Sequence, residues 1–196
     1  MNLLQFESDL HTKGFSLIAG VDEVGRGCLA GPVFAATVVF PPHLRLPGIN
    51  DSKELRPATR DFFFEKILEV AVDWAVFSVD HTRIDEINIH HASLEAMRGA
   101  VQRLKVSPDF LLVDGRFPLN LKVPERPIIR GDALSQSIAA ASIVAKVLRD
   151  QWMCQMAKQF PDFGFEAHKG YGTLRHREAI REFGPSPIHR KSFSFS

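Results

Sequence analysis

The apolar run Phe110-Leu111-Leu112-Val113, halted by Asp114-Gly115, constrains the fold more than any other segment. Four consecutive apolar residues bounded by a turn read as a strand buried on both faces, because no alternating polar position is left for solvent. Such a strand needs a layer on each side. Residues 17–21, 33–40, 74–79 and 127–130 are further strand candidates, apolar and in part β-branched. Between them lie helical segments. Residues 3–12 form a short one stopped by Gly14, residues 57–70 a second, and residues 174–183 a late one. Over residues 87–104, Ile87, Leu94, Met97, Val101 and Leu104 recur at spacings of three, four and seven, which predicts an amphipathic helix. From 133 to about 156 there is no Gly or Pro, and residues 135–142 are mostly small, so this helix can lie close against a sheet. Asp51-Ser52-Lys53-Glu54 has the form of a capped helix start. Five strands interleaved with helices predict an α/β layered fold in a single domain; strand order does not follow from the pattern.

Composition narrows the function. At 196 residues with 45% hydrophobic and 24% charged residues, the chain can bury its own core. Two cysteines, Cys28 and Cys154, allow neither a disulfide framework nor a four-ligand zinc site, so a reduced, cytoplasmic setting is expected. The first residues carry Glu7 and Asp9 and no apolar run, unlike a signal peptide, and nothing approaches the roughly 18 apolar residues of a membrane helix. Net charge is only +1, which argues against a generic polyanion binder. Yet residues 168–196 hold six basic residues against two acids. An acidic body with a basic C-terminal region suits a nucleic-acid enzyme; it also suits an ordinary solvated surface.

The chemistry concentrates at element ends. Asp22-Glu23-Val24-Gly25-Arg26-Gly27 follows an apolar strand. Adjacent strand residues point to opposite faces, so two acids serving one site require the backbone to leave strand geometry there. The glycines would permit that, and would let backbone N–H groups approach a sugar or phosphate closely. The alternative is two solvated acids beside a tight turn. Asp114 ends the buried strand, where ligands collect in open α/β sheets, or is an Asp-Gly turn residue. Asp132 precedes a helix and is either a site acid or an N-cap. If Asp22, Glu23, Asp114 and Asp132 converge, their mutual repulsion calls for divalent cations, and an all-oxygen donor set favours Mg²⁺ or Mn²⁺ over zinc. Two such ions about 4 Å apart clamp the attacking and leaving oxygens of a phosphodiester. No Gly-Lys-Ser/Thr follows the glycines, the dinucleotide spacing is absent, and there is no Gly-x-Ser-x-Gly elbow. The histidines are scattered and read as surface or local hydrogen-bonding groups.

Taken together, these segments resemble ribonuclease HII, the type 2 ribonuclease H of bacteria. The resemblance spans nearly the whole chain. It is carried by residues 20–27, by Asp51-Ser52-Lys53, by residues 110–115, and by Gly131-Asp132 with the helix through Lys146, Arg149 and Asp150. Lys169-Gly170-Tyr171-Gly172-Thr173 and His189-Arg190-Lys191-Ser192-Phe193 complete it. The segment 133–138 departs most, leaving the helix start and the direction of Asp132 open. The resemblance implies an RNase H-like fold, a mixed five-stranded sheet flanked by helices with a helical C-terminal part. It implies endonucleolytic hydrolysis of RNA in RNA/DNA hybrids and at ribonucleotides embedded in duplex DNA, leaving 3′-hydroxyl and 5′-phosphate ends. Asp22, Glu23, Asp114 and Asp132 would be the acidic metal site. Gly25, Arg26 and Gly27 would lie against the ribose 2′-hydroxyl and its phosphates, Lys53 against the nucleic-acid backbone, and Tyr171 under the neighbouring sugar. A monomer without membrane association is expected. The competing readings are another metal-dependent nuclease of the same superfamily, such as a junction resolvase or ribonuclease HIII, and a non-catalytic nucleic-acid-binding relative.

Overall fold

The protein is described by a computed structural model covering residues 3–50 and 52–195. Its elements in chain order are α1 (Gln5–Thr12), β1 (Ile18–Val24), β2 (Val33–Val39), α2 (Pro57–Val70), β3 (Asp73–Val79), α3 (His81–Gln102), β4 (Phe110–Asp114), β5 (Glu125–Ile128), α4 (Gln136–Gln159), α5 (Phe165–His168) and α6 (Leu174–Phe183). The sheet order is β3-β2-β1-β4-β5. β1 pairs antiparallel with β2, and β2 with β3, while β1–β4 and β4–β5 are parallel. The expected mixed five-stranded sheet flanked by helices is what the chain forms.

Helices cover both faces, as the uninterrupted apolar run of β4 requires. Ala19, Val21, Leu111 and Val113 pack with Val33 and Ala35 against Ala92, Ala96, Met97 and Ala100 of α3. On the other face Ala36 and Val38 meet Phe63 and Ile67 of α2 and Ala140, Ile143 and Val144 of α4. Leu112 and Ile138 are fully buried beside Leu10 of α1. Truncating Leu112 to Ala would cost about 2–5 kcal/mol by leaving a cavity in a layer held from both sides. The small residues of α4 serve the close approach foreseen for them. A Cβ at Gly20 of β1 would stand 2.1 Å from the Ser137 carbonyl carbon, so only glycine lets the start of α4 rest on the strand. A separate apolar cluster, including Leu29, Met153, Phe163, Phe165, Ile180 and Ile188, fastens the C-terminal region to α4.

Four boundaries differ from expectation. β1 stays in its ladder with β2 through Val24. β5 lies at Glu125–Ile128, because pairing with β4 sets its register rather than the apolar run 127–130. α3 begins at His81 and breaks at Asn88 (φ 63°), whose side-chain oxygen accepts from the N–H groups of His90 and His91 and restarts the helix. Asp132 is not the cap of α4: it sits in a 3₁₀ turn, Gly131–Ala133, and Ser135 caps the helix by accepting from the Ile138 N–H. The expected cap Asp51 falls outside the described residues, and α2 starts at Pro57 without a side-chain cap.

Candidate active site

Parallel pairing of β1 with β4 sets Val21 opposite Val113, so Asp22 and Asp114 follow at the same level on adjacent strands. Both follow directly after the last β1–β4 pair, Asp114 at the end of its strand and Asp22 where β1 continues along β2 alone. Glu23 joins them although its backbone remains in the strand. One carboxylate oxygen from each of Asp22, Glu23 and Asp114 lies within 4.8 Å of the others. The Glu23 N–H donates to Asp22 Oδ1 at 2.7 Å, bracing the pair.

Burial decides the electrostatics. Asp22 is 3% exposed, and its carboxyl is held well above the usual carboxylate range, first by loss of hydration and then by the charges of Glu23 and Asp114. Glu23 is raised by burial, with Arg26 opposing at 3.1 Å. Asp114 is raised by burial and by Asp132. A hydrogen bond from Ser142 of α4 pulls Asp22 back down. The Ser142 hydroxyl in turn lies 2.9 Å from that of Ser52, buried in the Asp-Ser-Lys segment. The donor set is oxygen only, and the cluster carries negative charge that neighbouring cations offset only in part. It is thus able to hold a hard divalent cation, and a zinc site would want nitrogen or sulfur ligands that are missing here among the described residues.

Asp132 approaches from the side. The Gly131 N–H donates to Asp114 Oδ1 at 2.6 Å, which ties the 3₁₀ turn to β4, while the Asp132 carboxylate pairs with Lys53 Nζ at 3.0 Å. Asp132 is buried and raises both Asp22 and Asp114 through its charge, yet it is not one of the three acids that share the tight cluster.

The Gly-Arg-Gly loop is held from beneath by two arginines to which sequence reasoning assigned no role. Arg149 and Arg190 are both fully buried. Arg190 donates to the carbonyls of Gly25, Arg26 and Gly31, and Arg149 to those of Ala30, Pro32 and Lys169. Gly25 has φ +93°, and a Cβ there would meet Arg149 Nε at 2.2 Å, so the position admits glycine alone. Beyond the loop, Cys28 forms a β-bridge with Tyr171, and their side chains hydrogen-bond. Tyr171 is 39% exposed, its ring facing Lys146 Nζ at 5.7 Å and Arg149 Cζ at 5.9 Å. Arg26 and Lys53 are exposed beside the acids. No signal in the neighbouring residues marks the two arginines, because their partners are carbonyls brought near only by folding.

The comparisons agree with this geometry. A model of the family described as ribonuclease HII matches residues 19–195. The ribonuclease HII of Geotalea uraniireducens is 52% identical over 192 residues, covering 98% of this chain and 89% of that protein. That of Syntrophobacter fumaroxidans is 50% identical over 193 residues, covering 98% and 83%. The crystal structure of the ribonuclease H2 from Pyrococcus horikoshii OT3 superposes with a TM-score of 0.78 at 28% identity, covering 91% of this chain and 94% of that one. A mixed sheet that brings acids from β1 and β4 to one opening, and a sequence half identical to these relatives over almost its full length, place the chain in the ribonuclease HII family of ribonuclease H endonucleases.

Proposed function

We propose that this endonuclease hydrolyses the RNA strand of RNA/DNA hybrids and incises duplex DNA at embedded ribonucleotides, leaving 3′-hydroxyl and 5′-phosphate ends, as a monomeric cytoplasmic enzyme. The observation that carries the second substrate is the Cys28–Tyr171 bridge. It joins the segment leaving the Gly25–Gly27 loop, where Arg26 and Gly27 are exposed, to an aromatic ring 39% open to solvent. A lone 2′-hydroxyl is a small signal and must be read at such short range.

Asp22, Glu23, Asp114 and Asp132 are read as the residues that hold Mg²⁺ or Mn²⁺. Bound there, the ions would supply an activated water and charge neutralisation at the leaving 3′-oxygen. The chain's own groups do the rest. Burial favours protons on Glu23 and Asp22, which these carboxyls would shed in order to hold a cation. Ser142 and the Glu23 N–H fix the Asp22 carboxylate. Lys53, 71% exposed along its side chain, swings between Asp132 and a backbone phosphate. Gly25, Arg26 and Gly27 meet the ribose and its phosphates, and Tyr171 packs under the sugar 3′ of the ribonucleotide. Specificity rests on the sugar, with phosphate contacts setting position.

The deciding experiment is cleavage of a duplex containing one ribonucleotide, with Mg²⁺, with Mn²⁺ and with chelator. Metal-dependent incision at that residue is expected. Cleavage of continuous hybrid alone would restrict the reading to the first substrate, and binding without cleavage would favour a non-catalytic relative.

A further inference from the structure

The histidines of the C-terminal region form one buried cluster. His176 and His189 are 0% and 1% exposed, and His168 stacks on His176 with ring centroids 4.3 Å apart. Phe163, Phe165 and Phe195 enclose them. Their hydrogen bonds dictate their protons. The Tyr171 carbonyl can only accept, so His176 Nδ1 carries the hydrogen of that 2.9 Å bond. Nε2 of the neutral ring must then accept, and His189 Nε2 donates to it at 3.0 Å. His189 Nδ1 is left to accept from the Ser186 N–H at 2.8 Å. A proton added to His176 Nε2 would confront the His189 N–H; one added to His189 Nδ1 would face the Ser186 N–H and the Ser186 hydroxyl, each 2.8 Å away, and would leave the bond between the rings in place.

The pair also closes a ring of contacts. Tyr171 bridges Cys28, and His189 bridges Ala30. Leu29 between them donates to the Gly170 carbonyl and accepts from the Arg190 N–H. The chain leaving the Gly-Arg-Gly loop is thus gripped between two C-terminal segments, and behind it the His176–His189 bond ties those segments together. We propose that His176 and His189 are positioning residues for substrate recognition: the bond between their neutral rings sets Tyr171 against the Gly25–Gly27 loop, and a proton on His176, which sets N–H against N–H, releases it. This rests on the reading that Tyr171 meets the substrate sugar.

The surroundings favour the neutral pair. Burial holds His176 and His189 down to about 4. Arg177 and His168 face His176, and His176, His168 and His81 of α3 face His189. Around His168 stand Glu166, Arg175 and Lys169, of which only the glutamate favours a proton.

Tyr171 is the chain's one tyrosine, so ¹³C-tyrosine labelling reports its ring without assignment. In metal-free protein the ring signals should hold steady from pH 8 to about 6 and shift as the pH falls toward about 4, with the Trp74 indole on β3 unchanged as control. His176→Ala should shift them at pH 7. It should lower kcat/KM on a single-ribonucleotide duplex about tenfold, as expected for lost buried hydrogen bonds, mostly through KM and with unaltered Mg²⁺ dependence. His176→Gln, whose amide offers one donor and one acceptor, should recover part of both. Unmoved tyrosine signals in folded His176→Ala, or across the acid titration, would overturn the proposal. Should His176→Ala not fold, the wild-type titration decides. If the signals move as stated while Tyr171→Ala cleaves like wild type, the positioning stands and the Tyr171 reading fails instead.

Discussion

Lys53 Nζ lies 3.0 Å from the carboxylate of Asp132, bringing a mostly exposed cation to the edge of the buried acids. The lysine partly neutralises Asp132, and if that acid holds a metal ion as proposed, the two cations compete for it. Lys53→Ala is expected to lower the Mg²⁺ concentration giving half-maximal cleavage by up to about fivefold, since an exposed ion pair is worth about 0–1 kcal/mol. It should at the same time raise KM for duplex. A Mg²⁺ titration of cleavage checks both effects; an unchanged midpoint would place Lys53 outside the site's electrostatics.

Asp114→Asn should reduce turnover by several orders of magnitude while duplex binding at low salt survives. The Asn side-chain oxygen can still accept from the Gly131 N–H, so the turn carrying Asp132 keeps its anchor. Nearly normal cleavage at saturating Mg²⁺ would remove Asp114 from the metal site.

The same substitution has an opposite effect on stability. Asp22, Glu23 and Asp114 are all raised in the folded protein. The folded state therefore binds more protons than the unfolded chain. The cluster's contribution is present below the unfolded carboxylate range, near 4, and is lost as pH rises through the raised folded values. At pH 7 without metal, Asp114→Asn should melt higher than wild type, by about 2–4 °C for each kcal/mol of repulsion relieved. Adding Mg²⁺ should narrow the gap. Differential scanning calorimetry with chelator and with Mg²⁺ is the measurement.

Arg190→Met should destabilise the protein by about 3–5 kcal/mol, because three carbonyls, those of Gly25 and Gly31 buried, lose their donor at once. Chemical denaturation measures the loss. Little change would mean that water replaces the guanidinium and that the loop keeps its shape unaided.

On α6 the arginines do not share a face. Arg177 and Arg181 are four residues apart and lie together, while Arg175 falls on the other side of the buried stripe of His176, Ala179 and Ile180. Arg177 donates to the Gly172 carbonyl, next to Tyr171, which puts the Arg177–Arg181 side toward the proposed substrate sugar. Arg181→Ala should flatten the log–log salt dependence of duplex binding by about 0.9, and Arg175→Ala should leave it alone. Equal slopes for both variants and wild type would mean that α6 faces bulk water.

Local pattern was enough for much of the architecture. α2 and α6 occupy the expected spans, because a proline or threonine start and an amphipathic or glycine-bounded end are written in adjacent residues. Burial of β4 on both faces follows from Phe110-Leu111-Leu112-Val113, which leaves no position for water. Positions at element ends likewise mark Asp22, Glu23, Asp114 and Asp132 as candidates, while Tyr171 is marked by the family resemblance alone. What pattern could not supply was which strand lies beside which. Only the parallel β1–β4 pairing, over more than 90 residues of separation, puts Asp22 level with Asp114. Convergence of Asp22 and Glu23 on one site predicts a break in β1; the strand instead stays paired through Val24, and a Glu23 oxygen still lies within 4.8 Å of those of Asp22 and Asp114. Asp132 is open in the sequence between cap and site acid, and Ser135 settles the cap by holding the helix start three residues beyond where propensity puts it. Arg149, Arg190 and the histidine pair carry no local signature, since their partners are backbone carbonyls and rings brought near by folding alone. A hydrogen bond between residues distant in sequence depends on coordinates that no window of neighbours contains; hydrophobic period, turn chemistry and capping depend only on that window.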